Sequence, residues 1–311
     1  MVGPTAAGKS ELAVAVAGWC NGEVVSADAF QVYRGLDVGT AKVKAAVRAR
    51  VPHHCIDLVD PDQPFSAADF ARAAGAAIDD IVARGRTAVL AGGSGFYLRA
   101  LIDGLAPLPG RDPAWRTALE ALEQRRGLTR VFALVEALDP DWAAAVGPAD
   151  RQRLLRGLEV TLRAGRPMSG LLQQRGWTGP HYDPRWVAID VPRPLLHARI
   201  EARVDAMLTG GWLREVQGLL DAGYRPGDPG LRAIGYRELA AHLSGGMTLA
   251  EARERIVRAT RRYAKRQITW FRGQTPAAWF TLEDGDEAAR ARLYRAVRVA
   301  LGCATGGPAT G

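Results

Sequence analysis

The stretch Gly3-Pro4-Thr5-Ala6-Ala7-Gly8-Lys9-Ser10 constrains this chain more than any other. A glycine, four residues, then Gly-Lys-Ser is the spacing of a phosphate-binding loop, which hangs from a strand and opens a helix. Glycines let successive backbone N–H groups turn into one small concavity that holds an anion. Lys9 adds a mobile positive charge, and Ser10 offers a hydroxyl to a magnesium ion. Glu11 to Ala17 reads as the first turns of a helix whose N-terminus favours the same anion. A chance glycine-rich turn would not carry Lys and Ser at both fixed places. The motif specifies polyphosphate with metal and leaves open which polyphosphate, ATP included.

The rest of the first hundred residues alternate short apolar runs with helical segments, the pattern of a parallel α/β sheet. Glu23 to Asp28 reads as a strand ending in a carboxylate, and Thr87 to Leu101 as a buried strand, a glycine-rich turn and a helix start. Ligands of such sheets gather at the carboxyl ends of the strands. Asp28 and the Gly92-Gly93-Ser94-Gly95 turn are therefore expected beside the phosphate loop. The fold class is a P-loop NTPase-like parallel sheet flanked by helices, with a helical insertion. The expected division is an α/β core over 1–111, a mainly helical insertion over 112–190, completion of the core with basic helices over 191–285, and a helix end with a flexible glycine-rich tail over 286–311.

With 311 residues the chain has room for two domains, or one with an insertion. It shows neither an apolar run long enough to span a bilayer nor a signal peptide, so a cytoplasmic protein without membrane contact is expected. Cys20, Cys55 and Cys303 stand far apart, without metal or disulfide spacing, which suits a reducing compartment. The adjacent His53 and His54 lack further ligands nearby in sequence and read as structural. Nothing marks an obligate protein partner, and a monomer is the default.

The formal net charge of +8 points to an anionic partner, with nucleic acid the leading candidate. Of 41 basic residues only Lys9, Lys42, Lys44 and Lys265 are lysines, so clustering carries more information than the arginine total. One cluster runs from Arg151 to Arg166, with Glu159 its lone acid. The other runs from Glu251 to Arg272 and has helical periodicity. Ile256, Ala259, Tyr263, Gln267 and Trp270 share one side of it, and Arg258, Arg261, Arg262, Lys265 and Arg272 gather on another. A face so one-signed suits contact with a phosphate backbone better than salt-bridge lacing.

Several stretches together carry a family resemblance. These are GPTAAGKS, SADAFQVYRGLDVGTAK, VPHHCIDLVDPDQPFSAADF, AGGSGFYLRALIDGL, DRQRLLRGLEV, AIGYREL and TRRYAKRQITWFR, in family order from residue 3 to residue 272. The chain resembles the tRNA dimethylallyltransferases, also called tRNA isopentenyltransferases. The resemblance implies transfer of a dimethylallyl group from dimethylallyl diphosphate to N6 of the adenosine 3′ of the anticodon, with Mg2+ as cofactor and the tRNA anticodon stem-loop as partner.

By that resemblance residues 3–10 and Arg203 hold the diphosphate, and Ser10 serves the metal. Asp28 is the general base, acting with Lys9 and Ser94. The tRNA-facing set comprises Asp28, Ala29, Phe30, Gln31, Ser94, Arg116, Gln152, Arg153, Leu154, Leu155 and Arg156, the last six in the helical insertion. Ser94 stands where the family usually has Thr, and Ala29 where many members have Ser. Two rivals stay open at this point: a small-metabolite kinase with Asp28 as metal acid, and an RNA-binding protein without catalysis. Only Met1 and Val2 precede Gly3, where a strand of about five or six residues ordinarily stands, so most of that strand is expected to be missing from the chain as written.

Overall fold

The computed structural model describes residues 1–175, 182–284 and 286–303. It divides into two compact units, Met1–Leu101 with Asp183–Gly311, and Ile102–Tyr182.

The first unit opens with α1 (Lys9–Trp19), β1 (Gly22–Ala27), α2 (Ala45–Arg48), β2 (His53–His54), α3 (Ala67–Ala83), β3 (Thr87–Gly92) and α4 (Gly95–Ile102). The strands pair in parallel, in the order β2-β1-β3. Every residue of β1 is buried, as expected of a strand covered on both faces. His53 and His54 are strand residues, as expected of a structural pair: the His54 ring lies 2.7 Å from the Glu23 carboxylate, which Arg84 and Arg86 also reach. Ser66 and Asp69 close a capping box that starts α3.

The smaller unit contains α5 (Pro113–Arg126), α6 (Leu128–Leu138), α7 (Pro140–Val146), α8 (Arg151–Ala164) and α9 (Met168–Arg175). Its core joins Leu119, Val131, Val135, Ala143, Leu154, Leu155 and Leu158. Asp112, Asp139 and Asp150 cap three of its helices with side-chain oxygens. The helical insertion is therefore present, with bounds of 102–182 in place of the expected 112–190. The difference has a physical source, because residues 187–190 pair into a sheet of the larger unit.

That unit resumes with β4 (Val187–Asp190), α10 (Arg193–Thr209), α11 (Trp212–Asp221), α12 (Tyr236–Leu243), α13 (Leu249–Gln274), β5 (Ala278–Thr281) and α14 (Glu287–Ala300). β4 and β5 pair in parallel. The backbone of Met1–Val2 joins the two sheets. Gly92 N–H donates to Met1 O at 3.2 Å on one side, and Val2 N–H to Val187 O at 2.8 Å on the other. Residues 1 and 2 thus occupy a central place in the sheet, and the phosphate loop leaves from there. Helix α14 buries Ala289, Leu293 and Val297 in the same core as α1. Most of the expected flexible tail, residues 304–311, lies outside the described residues.

Candidate active site

Gly8 ends the phosphate loop at φ 92°, a left-handed conformation that glycine adopts without steric cost, and α1 starts on the next residue. The N–H groups at the head of α1 have no acceptor one turn earlier and point toward an incoming anion. They border a cavity of about 830 Å³ in the larger unit, which Thr5, Lys9, Ser10, Asp28, Gly93 and Arg203 also line. The expected convergence of phosphate loop, strand-end carboxylate and glycine-rich turn is therefore present.

Two details revise the loop. Thr5 N–H donates to Gln267 Oε1 at 2.8 Å, so this amide is committed within the protein. Gly3, Pro4 and Ala7 do not line the cavity, and Ala7 N–H turns back to Pro4 O. Of the loop, Thr5, Ala6, Gly8, Lys9 and Ser10 line the cavity. Lys9 Nζ donates to Pro4 O at 2.7 Å. Although part of Lys9 is open to the cavity, burial of its ammonium and then Arg203 push it down to about 7, against a smaller opposing pull from Asp28. Arg203, on α10, is likewise pushed down by burial while Asp28 acts to raise it. An anion placed here would relieve both cations.

Asp28 leaves the end of β1 in a tight turn. Its Oδ1 accepts the N–H of Phe30 at 2.9 Å and of Gln31 at 3.3 Å, which orients the carboxylate. Gln31 lines the cavity, but its amide is held from behind: Oε1 accepts Ser26 Oγ–H at 2.9 Å, and Nε2 donates to Thr40 O at 3.1 Å. Phe30 lines the cavity and packs on the core. Ser94 and Ala29 do not line it. Ser94 Oγ accepts Ala29 N–H at 3.0 Å, which ties the turn after β3 to the residue beside Asp28. Ser94, expected to touch substrate, thus stands behind the lining and holds the Ala29 backbone.

Helix α13 brings Tyr263 and Gln267, from the side shared with Ile256 and Trp270, to the cavity. Gln267 is 5% exposed and reaches both the loop at Thr5 and the turn, donating from Nε2 to Gly93 O at 3.0 Å. The Tyr263 hydroxyl stands beside the Gly93 turn, and burial and then Asp28 push the phenol up, so it stays protonated. Both had stood in the periodic row with Ile256 and Trp270. A polar amide in an apolar row was the available signal.

The basic face of α13 is thinner than expected. Arg261 pairs with Glu201, and Arg272 bonds Asp190 at 2.9 Å and lies over the Trp279 ring. Arg258, Arg262 and Lys265 are exposed, and no ion pair engages them among the described residues.

In the smaller unit, α8 sorts the expected tRNA-facing residues by burial. Gln152 and Arg153 are exposed. Leu154 and Leu155 are 0% exposed, their side chains packed in the core of the unit. Arg156 is committed to Glu159 at 2.9 Å and to Pro109 O at 2.5 Å. Arg116 bonds Glu120 at 2.7 Å, one turn along α5.

Sheet order, loop and cavity together define a phosphate-loop enzyme of P-loop NTPase-like fold, with a carboxylate and a set of cations around one cleft. The family model described as IPP transferase matches residues 31–274, and the chain belongs to that family. A tRNA dimethylallyltransferase of Geobacter sulfurreducens is 48% identical over 277 residues, covering 89% of each chain. One of Halorhodospira halophila is 47% identical over 97% of each. Among solved structures, the full-length tRNA isopentenylpyrophosphate transferase of Bacillus halodurans is similar with a TM-score of 0.70 and 38% identity, over 97% of this chain and 95% of that one. A eukaryotic dimethylallyltransferase acting on tRNA is similar with a TM-score of 0.78 and 26% identity, over 93% of this chain and 76% of that one.

Proposed function

We propose that this enzyme transfers a dimethylallyl group from dimethylallyl diphosphate to N6 of the adenosine 3′ of the anticodon in tRNA, releasing diphosphate. One observation carries the reading: a single cavity is lined at once by the phosphate loop, by Asp28, and by the apolar side chains Ile200, Val204, Met207, Trp212 and Ile256. A kinase needs the first two features. The apolar wall suits a branched hydrocarbon beside the diphosphate that carries it.

The chemistry follows from the placement. As the allylic C–O bond breaks, its electron pair goes to the diphosphate. Lys9, Arg203 and the N–H groups heading α1 stabilise the charge that grows there. N6 attacks the freed carbon, and Asp28 accepts the N6 proton. Among the described residues no group of three His, Cys, Asp or Glu could cage a metal alone. The exposed Ser10 hydroxyl would help to hold a magnesium ion at the loop. When bound it would offset charge on the leaving group.

The exposed Gln152 and Arg153, and independently the exposed Arg258, Arg262 and Lys265, serve as contacts for tRNA. No described helix is long and apolar enough to cross a membrane, and a cytoplasmic location suits a tRNA substrate and free cysteines. The test is mass spectrometry of nucleosides from tRNA incubated with the protein, magnesium and dimethylallyl diphosphate. A prenylated adenosine at the position 3′ of the anticodon supports the reading. ADP formation from ATP with a small acceptor, and no prenylated adenosine, would replace it with the kinase.

A further inference from the structure

Helix α13 touches both halves of the proposed chemistry through one side chain. Gln267 Oε1 accepts from Thr5 in the phosphate loop, and Gln267 Nε2 donates to Gly93 in the turn after β3. These partners lie 262 and 174 residues away in sequence. The approach is tight. A Cβ on Gly93 would lie 2.0 Å from Gln267 Nε2, so the turn needs glycine there to admit the amide. One turn earlier on the helix, Tyr263 lines the same cavity with its hydroxyl beside the Gly93 turn. Ser94 holds the N–H of Ala29, the neighbour of Asp28. Gln267 thus ties Thr5 directly to the turn after β3, and Ser94 in that turn holds the backbone beside Asp28.

We propose that Gln267 is a positioning residue that sets the distance between the leaving-group cradle and the base. The proposal rests on the prenyl-transfer reading above. The amide is chemically suited to the task because it offers one acceptor and one donor in a fixed plane, and each meets a backbone group that would otherwise stand unpaired in a buried place. Transfer requires the allylic carbon and N6 to meet at close range, where an error of about 1 Å costs on the order of 10²-fold in rate. Gln267 can impose that range without touching either substrate. Because the exposed Arg258, Arg262 and Lys265 lie on the same helix, tRNA held there bears on the element that aligns the two reactants.

The two residues predict different losses. Gln267→Leu removes both bonds, so it should weaken inorganic pyrophosphate binding about tenfold and lower single-turnover transfer at saturating donor by on the order of 10²-fold. Tyr263→Phe leaves both Gln267 bonds in place, so it should keep pyrophosphate affinity at the parent level. Neither should change tRNA affinity. Gln267→Glu separates alignment from bulk: a protonated carboxyl reproduces the amide, accepting from Thr5 and donating to Gly93, whereas an ionised one sets a charge against Gly93 O. Its transfer rate, divided by that of the parent at each pH, should approach one at low pH and fall at least about tenfold as the carboxyl ionises.

A pH-independent ratio for Gln267→Glu would overturn the proposal, since a purely structural defect has no reason to titrate. Equal effects of Gln267→Leu and Tyr263→Phe on pyrophosphate binding would do the same. A parent chain that transfers nothing overturns the prenyl-transfer reading and this proposal together. An active parent with unaffected Gln267 variants overturns this proposal alone.

Discussion

Ser94 Oγ accepts the backbone N–H of Ala29 at 3.0 Å, a bond that spans 65 residues and sets the turn carrying Asp28 against the end of β3. Ser94→Ala leaves that N–H without its partner and should slow transfer about tenfold with donor affinity retained. Ser94→Thr keeps the hydroxyl and should stay near the parent rate. Single-turnover kinetics on both variants checks the pair, and an Ala variant as fast as the Thr variant would remove Ser94 from any positioning role.

Asp28→Asn keeps the side chain's shape and its Oδ1 acceptor for Phe30 and Gln31. It removes proton acceptance, so transfer should fall by about 10²-fold or more while tRNA binding holds. Rapid-quench measurement of the prenylated nucleoside reads this directly.

Lys9 predicts a proton uptake. With its ammonium pushed down to about 7, a large share of Lys9 is neutral at mildly alkaline pH. A diphosphate beside it favours the charged form, so binding there takes up a proton, and affinity weakens as pH rises through about 7. Calorimetry of donor binding in two buffers of different ionisation enthalpy should show the uptake in the parent. Lys9→Ala should lose it, along with much of the donor affinity.

On the outer side of α13, replacing Arg258 and Arg262 with Ala should lower the slope of log K for tRNA against log salt by about 1–2. Arg261→Ala should change the slope less, because Arg261 already pairs with Glu201. Binding titrations at several salt concentrations distinguish a nucleic-acid face from a merely solvated one.

The Glu215 carboxylate on α11 accepts the N–H groups of Asp37 at 2.8 Å, Val38 at 2.6 Å and Gly39 at 3.2 Å, and the Tyr236 hydroxyl at 2.7 Å. Glu215→Ala strands donors in a partly buried place and should cost about 1–3 kcal/mol of stability. The denaturant midpoint should drop accordingly. Since the loop it anchors continues to Thr40 and Lys42 on the cavity wall, transfer should fall as well.

The phosphate loop, the strand-end Asp28 and the one-signed periodicity of residues 251–272 were all legible in the sequence, because each is set by spacing within a short segment. Spacing also placed Tyr263 and Gln267 on one side of a helix. It could not show that this side meets Thr5 and Gly93, since those partners arrive through sheet pairing and helix packing over more than 170 residues. The same holds for charge. Arg156, Arg258 and Arg261 look alike in sequence, yet Glu159 and Glu201 engage the first and last and leave the middle one at the surface. Burial moved Leu154 and Leu155 from an expected contact to the core. The short strands β4 and β5 carry too few residues for an alternation to register, and only the backbone of Met1–Val2 and their mutual pairing make them strands. Local chemistry determined what kind of ligand this chain can hold. Tertiary pairing decided which side chains remain available to hold it, because a buried donor or charge goes to whatever partner the fold brings within reach.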